Sequence, residues 1–241
     1  MPKNMTDAID KLLSAAVQAR REKRPDDARR DLVEAVALAR AGNNRNALAR
    51  AVTELGRIER DVGHADAALA LYLEAAAIYR EQRDDLKLAH TVRHVGDIHQ
   101  DAGRPSEAEP CFQEAITIYR ANPDTPALDM ANALRPLALL KDDAGDFDEA
   151  DRLWHNAKEL YASVKAFPGV AECAGRQALL ALRRDDPERA RRLLAEATAA
   201  AEKSGDYNSV RYVNPDFTPG TFAESVAASV LTCAAGETQH P

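Results

Sequence analysis

The sequence predicts an all-α fold, a right-handed α-solenoid of about five antiparallel helix pairs with a C-terminal capping helix, and three observations carry that reading. A segment of fixed pattern recurs along the chain at nearly constant spacing. Alanine dominates the apolar content while aromatic residues make up only 5% of the 241 residues, which favours helices that pack closely. Glycine and proline fall mainly between the helical segments, where they punctuate turns.

The recurring segment is RPDDARRDLVEAVALAR at 24–40, HADAALALYLEAAAIYR at 64–80, RPSEAEPCFQEAITIYR at 104–120, DFDEADRLWHNAKELYA at 146–162 and DPERARRLLAEATAAAE at 186–202. Its leading alanines, Ala28, Ala68, Ala108, Ala150 and Ala190, follow one another at steps of 40, 40, 42 and 40 residues. Four residues beyond each comes a large apolar side chain (Leu32, Tyr72, Phe112, Trp154, Leu194), and three further on another alanine (Ala35, Ala75, Ala115, Ala157, Ala197). Spacings of four and three place all three on one helical face, where the large residue fills the space the small ones leave to a neighbour.

Upstream of each segment lies a partner helix. In the middle repeats it carries Leu55-Gly56, Val95-Gly96 and Leu137-Ala138, a large residue followed by a small one that lets the second helix approach. Gly63, Gly103 and Gly145 are placed to end the first helix in a left-handed C-cap. Pro25, Pro105 and Pro187 open the second helix, where a missing N–H costs nothing. The first repeat has Ala15-Ala16 in place of a large-small pair. The fifth lacks the glycine, so its turn is expected to be one residue shorter; end repeats are commonly atypical because one side has no neighbour.

This placement resembles the tetratricopeptide repeat family over residues 8–203, with a period of 40–42 residues, as in kinesin light chains, instead of the common repeat of about 34. A HEAT or armadillo solenoid shares the period but not the alanine, large apolar, alanine order. The expected organisation is a repeat domain at 1–204, a loop at 205–220 marked by Asn-Pro and Pro-Gly, a capping helix at 221–234 and a flexible tail at 235–241. The stripe Phe222, Val226, Val230 and Leu231 either seals the fifth repeat or docks on a second copy of the chain.

The net charge of −7 argues against a nucleic-acid partner, because a polyanion is repelled on average. Three scattered cysteines, Cys111, Cys173 and Cys233, have no disulfide or metal-ligand spacing and fit a reducing, cytoplasmic setting. The N-terminus has no apolar signal core, and no run approaches the length of a membrane helix. Neither a phosphate-binding glycine loop nor a nucleophile elbow occurs, so the sequence points to no enzyme activity and no cofactor.

The resemblance implies an adaptor or scaffold that holds a protein or peptide segment on the concave face formed by the first helices. The groove-facing positions it implies include Arg50, Thr53, Arg57, Arg60, His90, Arg93, His94, Asp97, Asn132 and Arg135, with Asp61, Asp101, Asp142 and Asp143 along one edge. Guanidinium groups recognise carboxylates in a planar, bidentate way, so an acidic or C-terminal peptide is the ligand expected. The bland alternative is that these arginines only pair with Glu54, Asp97 and Asp101 on neighbouring helices. A ligand-gated regulator is a second reading. A metal-dependent enzyme is a third, since His90, His94 and Asp97 share one helical face at ligand-like spacing. Pro136 is expected to free the Asn132 carbonyl within its helix and to kink it.

Overall fold

A computed structural model describes residues 3–206. Among them are ten α-helices and no strand: α1 Lys3–Arg21, α2 Pro25–Ala41, α3 Arg45–Asp61, α4 Ala65–Gln82, α5 Asp85–Asp101, α6 Pro105–Ala121, α7 Ala127–Asp143, α8 Phe147–Ser163, α9 Phe167–Arg183 and α10 Pro187–Ser204. The fold class is the expected all-α stack of helix pairs. The proposed loop and capping helix beyond 206 lie outside the described residues. The chain divides into two compact units, Met1–Thr125 with α1 to α6 and Pro126–Pro241 with α7 to α10.

The helices begin and end for the reasons the sequence suggests. Asn44, Asp84, Asp146 and Asp186 each cap a helix by accepting a hydrogen bond from the backbone N–H three residues on. Pro25, Pro105 and Pro187 stand at the first helical position. At the turn inside each pair the backbone reverses through a left-handed residue, and the next N–H returns to a carbonyl five residues back: Arg24 to Ala19, His64 to Glu59, Arg104 to His99, Asp146 to Lys141 and Asp186 to Ala181, all at 2.8–2.9 Å.

Glycine fills the left-handed position at Gly63, Gly103 and Gly145, and Lys23 and Asp185 fill it in the outer pairs with φ of 57° and 56°. The expectation of a shortened fifth turn is therefore corrected. Asp185 precedes Ala190 by the same five residues that separate Gly145 from Ala150, and a short polar side chain tolerates the left-handed conformation that glycine adopts freely. Pro136 sits inside α7, which continues from Ala127 to Asp143.

Packing follows the small-large-small pattern. Leu32, Tyr72, Phe112, Trp154 and the paired alanines are at most 1% exposed, while Leu194 is 5% exposed. Burying each large side chain contributes about 1.5–3 kcal/mol. The glycine of each large-small pair sets the distance: a Cβ on Gly56 would meet the Tyr72 ring at 3.4 Å, and one on Gly96 would meet the Phe112 ring at 2.6 Å. The second helices of the first unit are also tied by two ion pairs in the same register, Arg40 to Glu74 and Arg80 to Glu114. Each unit has its own buried cluster, one running from Ile9 to Val92 and one around Ala178, Ala190 and Leu194.

Candidate functional site

Of the ten candidate residues, the first unit brings six together. Arg57 and Arg60 extend from α3 toward His90, Arg93, His94 and Asp97 on α5, a face set by the side-by-side stacking of the two first helices. Asp97 Oδ2 accepts from Arg60 Nη1 at 2.9 Å, from Arg93 Nη1 at 2.8 Å and from His94 Nδ1 at 3.0 Å. Arg93 Nη2 donates to His94 Nε2 at 2.8 Å and Arg57 Nη2 to His90 Nε2 at 3.2 Å. Guanidinium groups reach both nitrogens of His94, since Arg60 Nη1 also lies 3.0 Å from Nδ1, and the two Nε2 atoms lie 3.3 Å apart; the Asp97 carboxylate, which can only accept, puts the His94 proton on Nδ1. His94 then donates that proton to Asp97.

Burial is the main reason both imidazoles are uncharged. It pushes His90 down to about 3 and His94 down to about 4; the neighbouring positive charges act in the same sense, while Asp97 partly opposes the shift at His94. Burial alone would raise the Asp97 carboxyl, but the His94 hydrogen bond and the charges of Arg93 and Arg60 outweigh it and hold the group below its usual range. Glu54 approaches Arg57 at 3.4 Å, so the cluster holds three guanidiniums against two carboxylates and carries one positive charge in excess. The floor is Tyr72, whose ring stacks on His94 with centroids 5.2 Å apart and whose hydroxyl is buried without a partner.

The remaining candidates are placed elsewhere. Arg50 pairs with Asp10 on α1 at 2.9 Å. Thr53 is 7% exposed and turns inward, donating to the Ala49 carbonyl at 2.8 Å, so it presents no group to a ligand. Asn132 and Arg135 belong to the second unit, where Asn132 accepts from Tyr161 Oη at 2.8 Å and Arg135 reaches Glu172 at 3.1 Å. The arginine pairing weighed as the bland alternative is present at Glu54 and Asp97, though Arg57 is held only loosely.

The zinc reading meets a physical obstacle. The lone pairs on His90 Nε2 and His94 Nε2 receive guanidinium donors, and three positive charges surround the position a cation would take. No group of three or more metal-ligating side chains among the described residues is arranged to hold an ion.

Two polar networks carry no signal in the repeat pattern. Glu59, 3% exposed, accepts from Arg29 at 2.6 Å and from the ring of His64 at 2.7 Å, tying α2 and α3 to the start of α4. In the second unit Gln177, 1% exposed, donates to Asp151 Oδ1 at 2.8 Å, and Arg189 clamps the same carboxylate through both oxygens. A glutamate or glutamine on an otherwise apolar helical stripe is the only hint either leaves in the sequence.

Stacked antiparallel helix pairs with small-large-small contacts define an α-solenoid repeat protein. Residues 49–121 match the tetratricopeptide repeat family, and residues 9–60 match the family of anaphase-promoting complex subunit 5. Tetratricopeptide repeats are thus carried by residues 49–121. No curated protein sequence matches it.

Among solved structures, BtubC (BKLC) from P. vanneervenii superposes with a TM-score of 0.63 at 20% identity over 97% of this chain and 94% of that one. The STAND protein with a tetratricopeptide repeat sensor from Pyrococcus horikoshii gives 0.75 at 15% identity over 94% of this chain and 36% of that one. Nearly identical tetratricopeptide-like repeats of a Podosopora anserina kinesin light chain give 0.65 at 16% identity, covering 85% of this chain and 99% of that one. At these identities the likeness defines the fold. No described helix is long and apolar enough to cross a membrane.

Proposed function

We propose that the protein is an interaction module that binds an acidic or C-terminal peptide segment through the α3–α5 face of its first unit. The observation that supports this is the excess of guanidinium over carboxylate where Arg57, Arg60 and Arg93 converge. Two uncharged imidazoles complete a face with several donors and little negative charge, which suits an anionic partner in a chain whose overall charge is −7. Arg57 is the residue best placed to engage a ligand, since its side chain is 25% exposed and its carboxylate neighbour stands 3.4 Å away.

The test is fluorescence anisotropy with labelled peptides in which acidic residues alternate with their amide counterparts. Acidic peptides are expected to bind more tightly than the amides, with binding weakening as salt rises. Arg57→Ala is expected to cost about 1.5–3 kcal/mol, the range for a hydrogen bond to a charged group. Equal binding of acidic and amide peptides, or an unaffected Arg57→Ala variant, sinks the proposal.

A further inference from the structure

Asp97 stands where a ligand's carboxylate would stand. A single oxygen, Oδ2, accepts from guanidiniums on two different helices, Arg60 Nη1 at 2.9 Å and Arg93 Nη1 at 2.8 Å, and from His94 Nδ1 at 3.0 Å. A carboxylate fitted only for structure looks different in the same unit. Glu59 has a side-chain exposure of 4%, closed off between Arg29 and His64, whereas that of Asp97 is 17% and opens toward solvent. Under the cluster the Tyr72 ring stacks on His94, with its hydroxyl in the field of Arg60, Arg57, Glu54 and Arg93.

The geometry points to the Arg60–Arg93 pair as a carboxylate subsite that Asp97 fills in the free protein, so that an acidic segment binds by exchanging its own carboxylate for that of Asp97. This inference rests on the acidic-segment reading above. Arg57, whose carboxylate neighbour is loosely held, makes the first contact with the incoming anion. Arg60 and Arg93 then pass from the internal carboxylate to the external one without either guanidinium being left unpaired in a half-buried site, which is the costly state for such a group. Asp97 thereby acts as a built-in competitor: segments that bring no carboxylate to Arg60 and Arg93 leave the internal bonds in place. A ligand shifts such a balance only by its differential affinity for the two states.

The experiment uses the full chain and a fluorescein-labelled hexaglutamate peptide with a free C-terminus. Asp97→Asn removes the competing charge while keeping the side chain's shape, and it is expected to bind the peptide about tenfold more tightly than the unmodified chain, a change of about 1.4 kcal/mol. Equal or weaker binding by a folded Asp97→Asn variant, with the unmodified chain still binding and Arg57→Ala still impaired, overturns the exchange and leaves the basic face standing. Absence of binding by every form overturns both. Should Asp97→Asn fail to fold, the side-chain carboxyl carbon resonance of Asp97 in the unmodified chain decides: it moves toward the value of a solvated aspartate as peptide saturates the protein if exchange occurs, and an unmoved resonance overturns it.

Discussion

His94 has one nitrogen facing the guanidinium of Arg93 at 2.8 Å and the other facing both Asp97 and the guanidinium of Arg60 at 3.0 Å, and that crowding of positive charge, with burial, sets its behaviour with pH. A second proton on either imidazole would direct an N–H at a guanidinium, so both rings fold as neutral species. Their folded pKa values, about 3 for His90 and about 4 for His94, lie below the ordinary 6.5, and the unfolded chain therefore takes up protons first as pH falls. Stability from this source is complete above about pH 6.5 and is lost progressively toward pH 4, at up to about 1.4 kcal/mol per pH unit for each histidine. Thermal melts between pH 7.5 and 5 are expected to show this decline, and His90→Gln, which has no proton to gain, is expected to make it roughly half as steep. An unchanged slope in that variant assigns the decline to other groups. The residue types of this cluster were legible in the sequence because the resemblance to tetratricopeptide repeats implies groove-facing positions at Arg57, Arg60, His90, Arg93, His94 and Asp97. Their partners were not, since whether Asp97 holds two arginines or faces water depends on helix spacing that no periodicity specifies.

That spacing is decided at the level of the helix pair. Gly56 and Gly96 occupy the same place in their repeats, yet the ring opposite each stands at a different distance, 3.4 Å from a Cβ built on Gly56 and 2.6 Å from one built on Gly96. Gly96→Ala is therefore expected to force the fully buried Phe112 ring out of place and to lower stability by about 1–3 kcal/mol. Gly56→Ala fits at ordinary contact distance and gains helix propensity, so its effect is expected to be neutral or stabilising by up to about 1 kcal/mol. Urea denaturation of the two variants measures the contrast, and equal effects would show that the glycines do not set the approach.

The turns invite a converse change. Lys23 sits at φ 57° in the position Gly63 and Gly103 fill in other repeats, so Lys23→Gly is expected to remove left-handed strain and raise stability by about 0.5–1 kcal/mol, or less where the added freedom of the unfolded chain offsets it. The glycine turns, the prolines that open second helices and the alanine register could all be read from the sequence because each follows from local chemistry. The fifth turn departs from its expected length because glycine is not the sole marker of a left-handed residue, and Asp185 fills that role without it.

Over the whole molecule the repeat step itself carries information. All five connections up to α6 span two or three residues, but 122–126 holds five between α6 and α7, which accounts for the 42-residue step and coincides with the boundary between the two compact units. In a repeat protein stability is approximately a sum of individual repeats and nearest-neighbour contacts, so a group of pairs with its own core is able to fold without the rest. The first unit meets that condition, with a continuous buried cluster from Ile9 to Val92 and a second around Tyr72, Val95 and Ile98. A chain ending at Thr125 is expected to be helical by circular dichroism, to melt cooperatively and to bind acidic peptides as the full protein does, since all six residues of the α3–α5 cluster lie within it. Gly96→Ala should destabilise this shorter chain by the same amount as the full one, because the Phe112 ring it disturbs belongs to the same unit. A fragment that folds but has lost the peptide would show that residues beyond the boundary contribute to binding, whereas an unfolded fragment would show that the first unit does not fold alone.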